Sequence, residues 1–402
     1  MSLFDIPIDF ILFALTLLGI ALFHHYTLPV ALAGLAAITS YKLAFGGFKD
    51  GSGLGGFSLH LQHEWVVLAN LFLLLTGFAL LSRHFEESRV PDELSTILPH
   101  GWMGAFFLLA IVFVLSGFLD NIAAALIGGT VARHVFKGKV HIGYLVALVA
   151  ASNSGGAGSV LGDTTTTMMW IDGVSPLKVL DAYLPAAVAL IVFGIPAARL
   201  QQNYAPIFKQ PLRRLHIEWP RLLIVGAILV AAVLANVITN IKFPAALDKA
   251  PVLGLAVWAV ILITSLWRRP DWAIMPETAK GTVFLLALVL CASMMPVEKL
   301  PAPSWQTSLG LGFVSAVFDN IPLTALALKQ GGYDWGVLAF AVGFGGSMTW
   351  FGSSAGVALA NMYPEARSVG LWLRHGWFVV AAYLIGFLVM LSILGWKPDA
   401  PH

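Results

Sequence analysis

The chain has 402 residues, 58% hydrophobic and only 11% charged, with a net charge of +2. A soluble domain carries roughly a quarter charged residues, so the composition describes a polytopic membrane protein and excludes a soluble one. The small net charge, without a Lys/Arg-rich cluster interleaved with aromatics, excludes a nucleic-acid partner. Cys291, the only cysteine, excludes an intramolecular disulfide and a multi-cysteine metal site.

In chain order, apolar runs of spanning length fall at about 7–23, 28–46 and 64–82. The first follows Asp5 and Asp9 with no Lys or Arg before it, so it reads as a first span and not a cleaved signal. Gly51 to Gly56 formally match a dinucleotide-binding glycine pattern, but no strand precedes them, and the stretch reads as a flexible loop. Residues 83–100, with Arg83, Glu86, Glu87, Arg89, Asp92 and Glu93, read as an exposed linker.

Residues 103–133 are too long for one span and hold Asp120-Asn121 at their centre. As helices the two arms, 103–118 and 122–133, reach about 24 and 18 Å. Neither crosses about 30 Å of hydrocarbon. The expectation is a re-entrant hairpin whose tip is buried in protein or lines a cavity. Next comes a discontinuous span: 141–152 is apolar, 153–163 is rich in glycine and small polar residues, and 164–171 resumes as Thr164-Thr165-Thr166-Thr167-Met168-Met169-Trp170-Ile171. A helix from Pro176 to about Arg199 closes the first half.

The plan then repeats. Spans at about 222–241, 251–267 and 281–297 precede a hairpin at 304–330, a discontinuous span at 335–362 and a last span at 371–395. Leu119-Asp120-Asn121 returns as Phe318-Asp319-Asn320, and Gly155-Gly156 returns as Gly345-Gly346. Aligning the double glycines places Ser159 on Thr349, Gly162 on Gly352 and Asp163 on Ser353. The expected fold is all-α, one membrane domain over 1–402, with repeats at 1–200 and 201–402. Each repeat holds five spans and one hairpin, giving about ten spans and two discontinuous helices. Five being odd, the second repeat is inverted, the arrangement in which a transporter site lies between repeats. Most of the Lys and Arg then fall in loops on one side, led by Arg133, Lys137, Lys139, Arg199, Arg213, Arg214, Arg268 and Arg269. The bias assigns that side to the cytoplasm and both termini to the outside.

Asp120, Asp163 and Asp319 stand in apolar sequence, while no Lys or Arg falls in the hairpin tips or the breaks. Asn121, Asn320, Ser116, Ser315, Asn153, Ser154, Ser159, Thr164, Thr165, Thr166, Thr167, Thr349, Ser353 and Ser354 add neutral oxygens. Hard cations prefer such ligands, and carboxylates exchange protons with them. The set favours Na⁺ or Li⁺ and H⁺ as cargo, with no resident cofactor; Asp120 and Asp319 are the candidate Na⁺ ligands. Structural roles stand beside these: each Asp is also placed to cap a helix, and the threonines to pack helices. Gly155, Gly156, Gly162, Gly345, Gly346 and Gly352 permit unwinding and close approach. His24, His25, His134, His141 and His375 lie near span ends and suit the membrane interface.

Leu119-Asp120-Asn121, Asn153-Ser154-Gly155-Gly156-Ala157, Gly162-Asp163 with the threonine run, Asp319-Asn320-Ile321-Pro322-Leu323 and Gly345-Gly346-Ser347 resemble the motifs of NhaD-type sodium/proton antiporters. These belong to a wider ion transporter superfamily that includes arsenite permeases and carriers of di- and tricarboxylates. The resemblance implies scaffold and transport regions, elevator-like alternating access, frequent homodimers and a bacterial inner membrane. It also leaves an alternative cargo, a carboxylate or oxyanion such as citrate or arsenite coupled to Na⁺ or H⁺. An intramembrane hydrolase has little support, since no His-Glu-x-x-His occurs, and the protein is expected not to be an enzyme.

Overall fold

The computed structural model describes all residues except 1, 4–5, 24–25, 49–50, 91–97, 208–216, 244–245, 247–248, 319 and 400–402. Apart from a two-residue antiparallel ladder, Ser2–Leu3 with Ile6–Pro7, and an isolated bridge between Phe48 and Gly51, the regular elements of the described residues are helical. Five segments are long and apolar enough to cross a membrane: Thr27–Gly46, Gly53–Glu87, Pro176–Tyr204, Trp272–Ser293 and Val369–Leu394. Shorter apolar helices accompany them, among them Trp102–Ser116, Ile142–Ala157 and Val252–Ser265. The packing divides the chain into two compact units, and each draws on both halves of the sequence.

One unit comprises residues 1–81, 223–301 and 321–330. It contains α1 (Ile8–Leu22), α2 (Thr27–Tyr41) and the greater part of α3 (Gly53–Glu87). From the second half it takes most of α9 (Trp219–Lys242), α10 (Val252–Ser265) and α11 (Met275–Ser293). Helices α3 and α10 cross closely because Gly77 faces Val257 and Gly254 faces Leu73. Asn70 Oδ1 accepts from the Gly254 N–H at 3.1 Å, and Trp258 Nε1 donates to the Leu73 carbonyl at 2.8 Å. In a bilayer, where apolar burial drives little association, small residues and such bonds join helices.

The other unit comprises residues 82–222, 302–320 and 331–402. Here α4 (Trp102–Ser116) and α5 (Asn121–Val135) form the expected helical hairpin, each 15 residues long and so about 22 Å. They are followed by α6 (Ile142–Ala157), α7 (Thr164–Ile171) and α8 (Tyr183–Tyr204). The second half supplies α12 (Trp305–Ser315), the start of α13 (Asn320–Gln330), α14 (Trp335–Gly345), α15 (Ser354–Met362) and α16 (Val369–Leu394). The centre is α6 and α14: every residue of α14, and every residue of α6 from Gly143 on, is buried. Tyrosine hydroxyls tie the neighbours to this centre, Tyr144 to the Ala105 carbonyl at 2.7 Å and Tyr383 to the Leu309 carbonyl at 2.9 Å.

Several sequence expectations change. The glycine stretch 51–56 is not a loop throughout, because α3 already starts at Gly53. Nor is 83–87 a linker: α3 runs on to Glu87, where Arg83 pairs with Glu86 at 2.9 Å and Arg221 with Glu87 at 2.5 Å. Charge at a helix end is fully compatible with helix when it is paired on one face. The linker residues 91–97 lie outside the described residues. The first interruption is also shorter than 153–163. The helix holds through Ala157, so Asn153, Ser154, Gly155 and Gly156 are helical. Their small side chains serve contact and not unwinding. An added Cβ at Gly155 would lie 2.0 Å from the Phe113 carbonyl oxygen, and one at Gly162 would lie 1.8 Å from that of Ser116.

His141 caps α6. Its Nδ1 accepts from the Gly143 N–H at 3.1 Å, its own N–H donates to Gln201 Oε1 at 2.8 Å, and its ring meets that of His375 edge-on with centroids 5.0 Å apart. Burial, and secondly the neighbouring His375, hold the His141 imidazole below its ordinary pKa.

Two outcomes are expected. Gly162→Ala should destabilise the detergent-solubilised protein by about 1–3 kcal/mol, because backbone and not a pliable side chain blocks the methyl group. Gly226→Ala and Gly281→Ala, with nothing within 4 Å, should be neutral or stabilising. Thermal melts of the three side by side decide it. For His141, the unfolded chain takes up a proton at about pH 6.5, above the native group. The cap's contribution of about 1 kcal/mol is therefore complete above that pH and lost as pH falls through the lowered native value. His141→Asn, which retains an acceptor but does not titrate, should flatten the melting temperature between pH 7 and pH 5; an unchanged slope would assign the acid sensitivity to other groups.

Candidate functional site

The site grows from the ends of broken helices. Helix α6 stops at Ala157 and α7 begins at Thr164, with Asp163 as its N-cap; Asp163 Oδ1 accepts from the Thr165 N–H at 3.1 Å. In the second half α14 stops at Gly345, one 3₁₀ turn covers Gly346–Met348, and α15 begins at Ser354. There Ser353 is the N-cap, its hydroxyl accepting from the Gly356 N–H at 3.3 Å. Asp and Ser are both strong capping residues because their oxygens satisfy helix N–H groups that have no partner within the helix. The interruptions abut, since an added Cβ at Gly343 would sit 3.2 Å from the Ala157 Cβ and 3.3 Å from Asp163 Oδ2.

Two polar clusters cross between the halves. Asn153, fully buried in α6, donates to both Ser347 Oγ and Ser353 Oγ at 3.0 Å and accepts from Asn121 Nδ2 at 3.4 Å. Asp163, 2% exposed, receives the Asn320 amide on its other oxygen at 3.4 Å. Ser152 ties the first cluster to the hairpin by donating to the Asn121 carbonyl. Asp120 is the N-cap residue of α5 and half-buried, and the backbone N–H groups of Asn121 and Ile122 face its carboxylate.

The hydroxyls divide into two kinds. Several hold the breaks together: Thr166 donates to the Ser159 and Asp163 carbonyls at 2.5 and 2.9 Å, and Thr167 to those of Val160 and Asp163 at 2.9 and 3.0 Å. Ser315 donates to the Val342 carbonyl at 2.8 Å and Thr349 to that of Ala316. Ser154 turns back on the Ala151 carbonyl at 3.3 Å, and Ser159 Oγ accepts from the Leu161 N–H at 3.2 Å. A hydroxyl that has donated its proton still has oxygen lone pairs for a cation. Ser116 Oγ and Thr165 Oγ1 differ, being buried without a hydrogen-bond partner among the described residues, a condition that a water or an ion relieves. Thr164 and Ser354 open α7 and α15 and are partly exposed.

Glycine contacts repeat between the halves. Gly155 and Gly345 both abut a hairpin-arm carbonyl, of Phe113 and Gly312, and Gly156 and Gly346 each lie against the carbonyl of the glycine six residues on, Gly162 and Gly352. Gly162 and Gly352 in turn abut the Ser116 and Ala316 carbonyls.

The structure thus brings together Asn121, Asn153, Asp163, Asn320 and Ser353. Asp319, His24 and His25 lie outside the described residues. Ser347 was missed as a candidate, although it directly follows Gly346; its mate in the alignment is Ala157, so the repeat itself gave no polar signal there. Tyr183 was missed as well. Its ring lies 2.5 Å from a Cβ added at Gly158, and only tertiary contact reveals it.

No family model matches the chain. It is similar to Sodium/proton antiporter 1 of Arabidopsis thaliana, 26% identical over 381 residues that cover 83% of this chain and 64% of that protein. The chain therefore spans less than two-thirds of that plant relative. It is likewise similar to the Na(+)/H(+) antiporter NhaD of Vibrio parahaemolyticus, 26% identical over 392 residues covering 83% of this chain and 91% of that protein. The NhaD of Halomonas elongata is 27% identical over 368 residues, 77% of this chain and 72% of that protein. These relatives are transporters and not enzymes, and together with the long apolar helices they make this chain a multi-pass membrane protein that is a distant homologue of the NhaD and plant sodium/proton antiporters.

Proposed function

We propose that the protein exchanges Na⁺ or Li⁺ for H⁺ by alternating access. The observation that carries this reading is the buried Asp163 carboxylate, shared between a helix N-terminus and the Asn320 amide and facing the bare backbone of Gly343. Ser116 at the end of α4 and Thr165 in α7 add buried hydroxyls that have no hydrogen-bond partner among the described residues. Carboxylate and neutral oxygens together are what a hard cation binds. A carboxylate held in apolar surroundings is stable when it carries a proton or a metal ion, so the two compete for it. Asp120 and Asp319 are the carriers in this reading; Asn121, Asn320, Asn153 and the hydroxyls coordinate. Two of the helix starts also favour a cation, because α5 and α7 each have a carboxylate at the N-terminus that satisfies the local positive potential and would repel an anion.

The wider reading is an inverted repeat of about ten crossings in a bacterial inner membrane, with both termini outside. The unit holding the broken helices is the transport body and the other its scaffold, in a homodimer. One observation favours an anion carrier instead: α15 is capped by the neutral Ser353 hydroxyl, leaving a helix start where an oxyanion meets no acid of its own.

Proteoliposomes with an internal pH dye distinguish the two. Na⁺ or Li⁺ added alone should move protons, and a requirement for citrate or arsenite would establish the anion reading. Asp120→Asn and Asp319→Asn should insert and fold but lose exchange, since Asn still caps a helix and does not titrate; wild-type rates in both would reduce these residues to caps. Asp163→Ser installs the cap found at the matching position of the second half. It should leave thermal stability within about 1 kcal/mol yet weaken apparent Na⁺ affinity at least tenfold, about 1.4 kcal/mol, or abolish exchange. Unchanged flux and unchanged stability would confine the ion chemistry to the two Asp-Asn pairs. A C-terminal reporter that works only in the cytoplasm should be silent, and strong signal would overturn the inverted topology.

A further inference from the structure

Helices α8 and α16 border a groove of about 410 Å³ whose lining changes character along its length. On α8, Ile195, Arg199 and Asn203 lie four residues apart and so on one face. Pro196, Leu200 and, from α16, Trp377 and Phe378 complete the walls. From the middle of α8 toward its C-terminus the face runs from aliphatic to cationic to amide.

Arg199 is held in place. Its guanidinium carbon stands 5.2 Å from the ring centroid of Trp102, the first residue of α4, a cation–π contact that fixes the charge without neutralising it. Among the described residues no carboxylate pairs with it. A tryptophan at a helix start, with Trp377 64% exposed on the facing wall, sets the depth at the boundary between headgroups and hydrocarbon. A fixed, unneutralised cation at that depth, with an apolar slot running inward from it, has the polarity of one kind of molecule.

We propose that this groove is a binding site for a single acidic glycerophospholipid. The phosphodiester is held by Arg199 and the Asn203 amide, and an acyl chain lies along Ile195, Leu200 and Trp377. Basic pockets between spanning helices take anionic headgroups for the same electrostatic reason. The α5–α6 loop meets α8 on its buried side, where Gln201 Nε2 donates to the Lys139 carbonyl at 3.0 Å, and Lys139 therefore serves as the control for diffuse attraction outside the groove.

Protein in neutral detergent is titrated with phosphatidylglycerol, or with phosphatidylcholine of the same chains, and followed by native mass spectrometry and thermal melts. The expected result is one retained phosphatidylglycerol per chain with a raised melting temperature, and no comparable adduct with phosphatidylcholine. Arg199→Gln should weaken the adduct at least tenfold, while Lys139→Gln leaves it unchanged. Trp377→Ala, which spares the Arg199–Trp102 stack, should also weaken it, and serves where Arg199→Gln fails to fold. Equal loss in the Arg199 and Lys139 variants would show diffuse attraction only. Equal retention of both lipids, or a protein dimer that excludes lipid from the groove, would overturn the proposal.

Discussion

Two helices stop and restart within the protein's interior, and the freed backbone groups are satisfied largely by the protein itself. In hydrocarbon each unsatisfied N–H or C=O costs several kcal/mol, so an interruption survives only where side chains and neighbouring backbone take over. At the first break Thr166 and Thr167 bind the Ser159 and Val160 carbonyls, and Asp163 takes the Thr165 N–H. At the second, Ser353 takes the Gly356 N–H, and Trp372 Nε1 donates to the Ser347 carbonyl at 3.1 Å. Close approach of the hairpin arms depends on the glycines, because a methyl group at 155 or 345 would meet a carbonyl oxygen at about 2 Å.

The polar contacts between the halves form where the repeat fails. Asn153 aligns with Gly343 and Asp163 with Ser353, and these departures fit one another across the crossing. Asn153 donates to Ser353, and Asp163 Oδ2 stands against the bare backbone of Gly343. An asparagine at 343, faithful to the repeat, would fill the space beside the carboxylate. A serine at 163 would remove the carboxylate. Two matched sets of contacts are thereby replaced by two different ones, an amide–hydroxyl cluster around Asn153 and a buried carboxylate at Asp163 that takes the Asn320 amide.

How much of this was legible follows the range of each interaction. The hairpin of α4 and α5 was readable because two arms too short to cross a bilayer flank Asp120-Asn121, and arm length is a local property. The interruption was placed at 153–163, yet helix persists through Ala157. Intrinsic propensity makes Gly155 and Gly156 helix breakers, yet both stay helical under close packing, Gly155 on the Phe113 carbonyl of α4 and Gly156 on the Gly162 carbonyl. The end of α3 was misread for a related reason: Glu86 and Glu87 look like loop residues until Arg83 and the distant Arg221 are seen beside them. Ser347 belongs to the Gly345-Gly346-Ser347 motif but not to the candidate ligands, because its mate in the other half, Ala157, is apolar.

Composition alone determined the solvent, since 58% hydrophobic and 11% charged residues cannot cover a water-facing surface. Repetition of Asp-Asn and Gly-Gly, visible without coordinates, marked the segments that carry the site. Pairing was decided only in three dimensions. Asn153 meets Ser353 across 200 residues and Asp163 meets Asn320 across 157, and no periodicity encodes which side chains face each other over such separations. The division into compact units is equally a tertiary matter, since each unit takes segments from both halves of the sequence. Hydropathy and helix period depend on neighbours within a few residues, while the polar contacts between the two breaks join side chains from opposite halves of the chain.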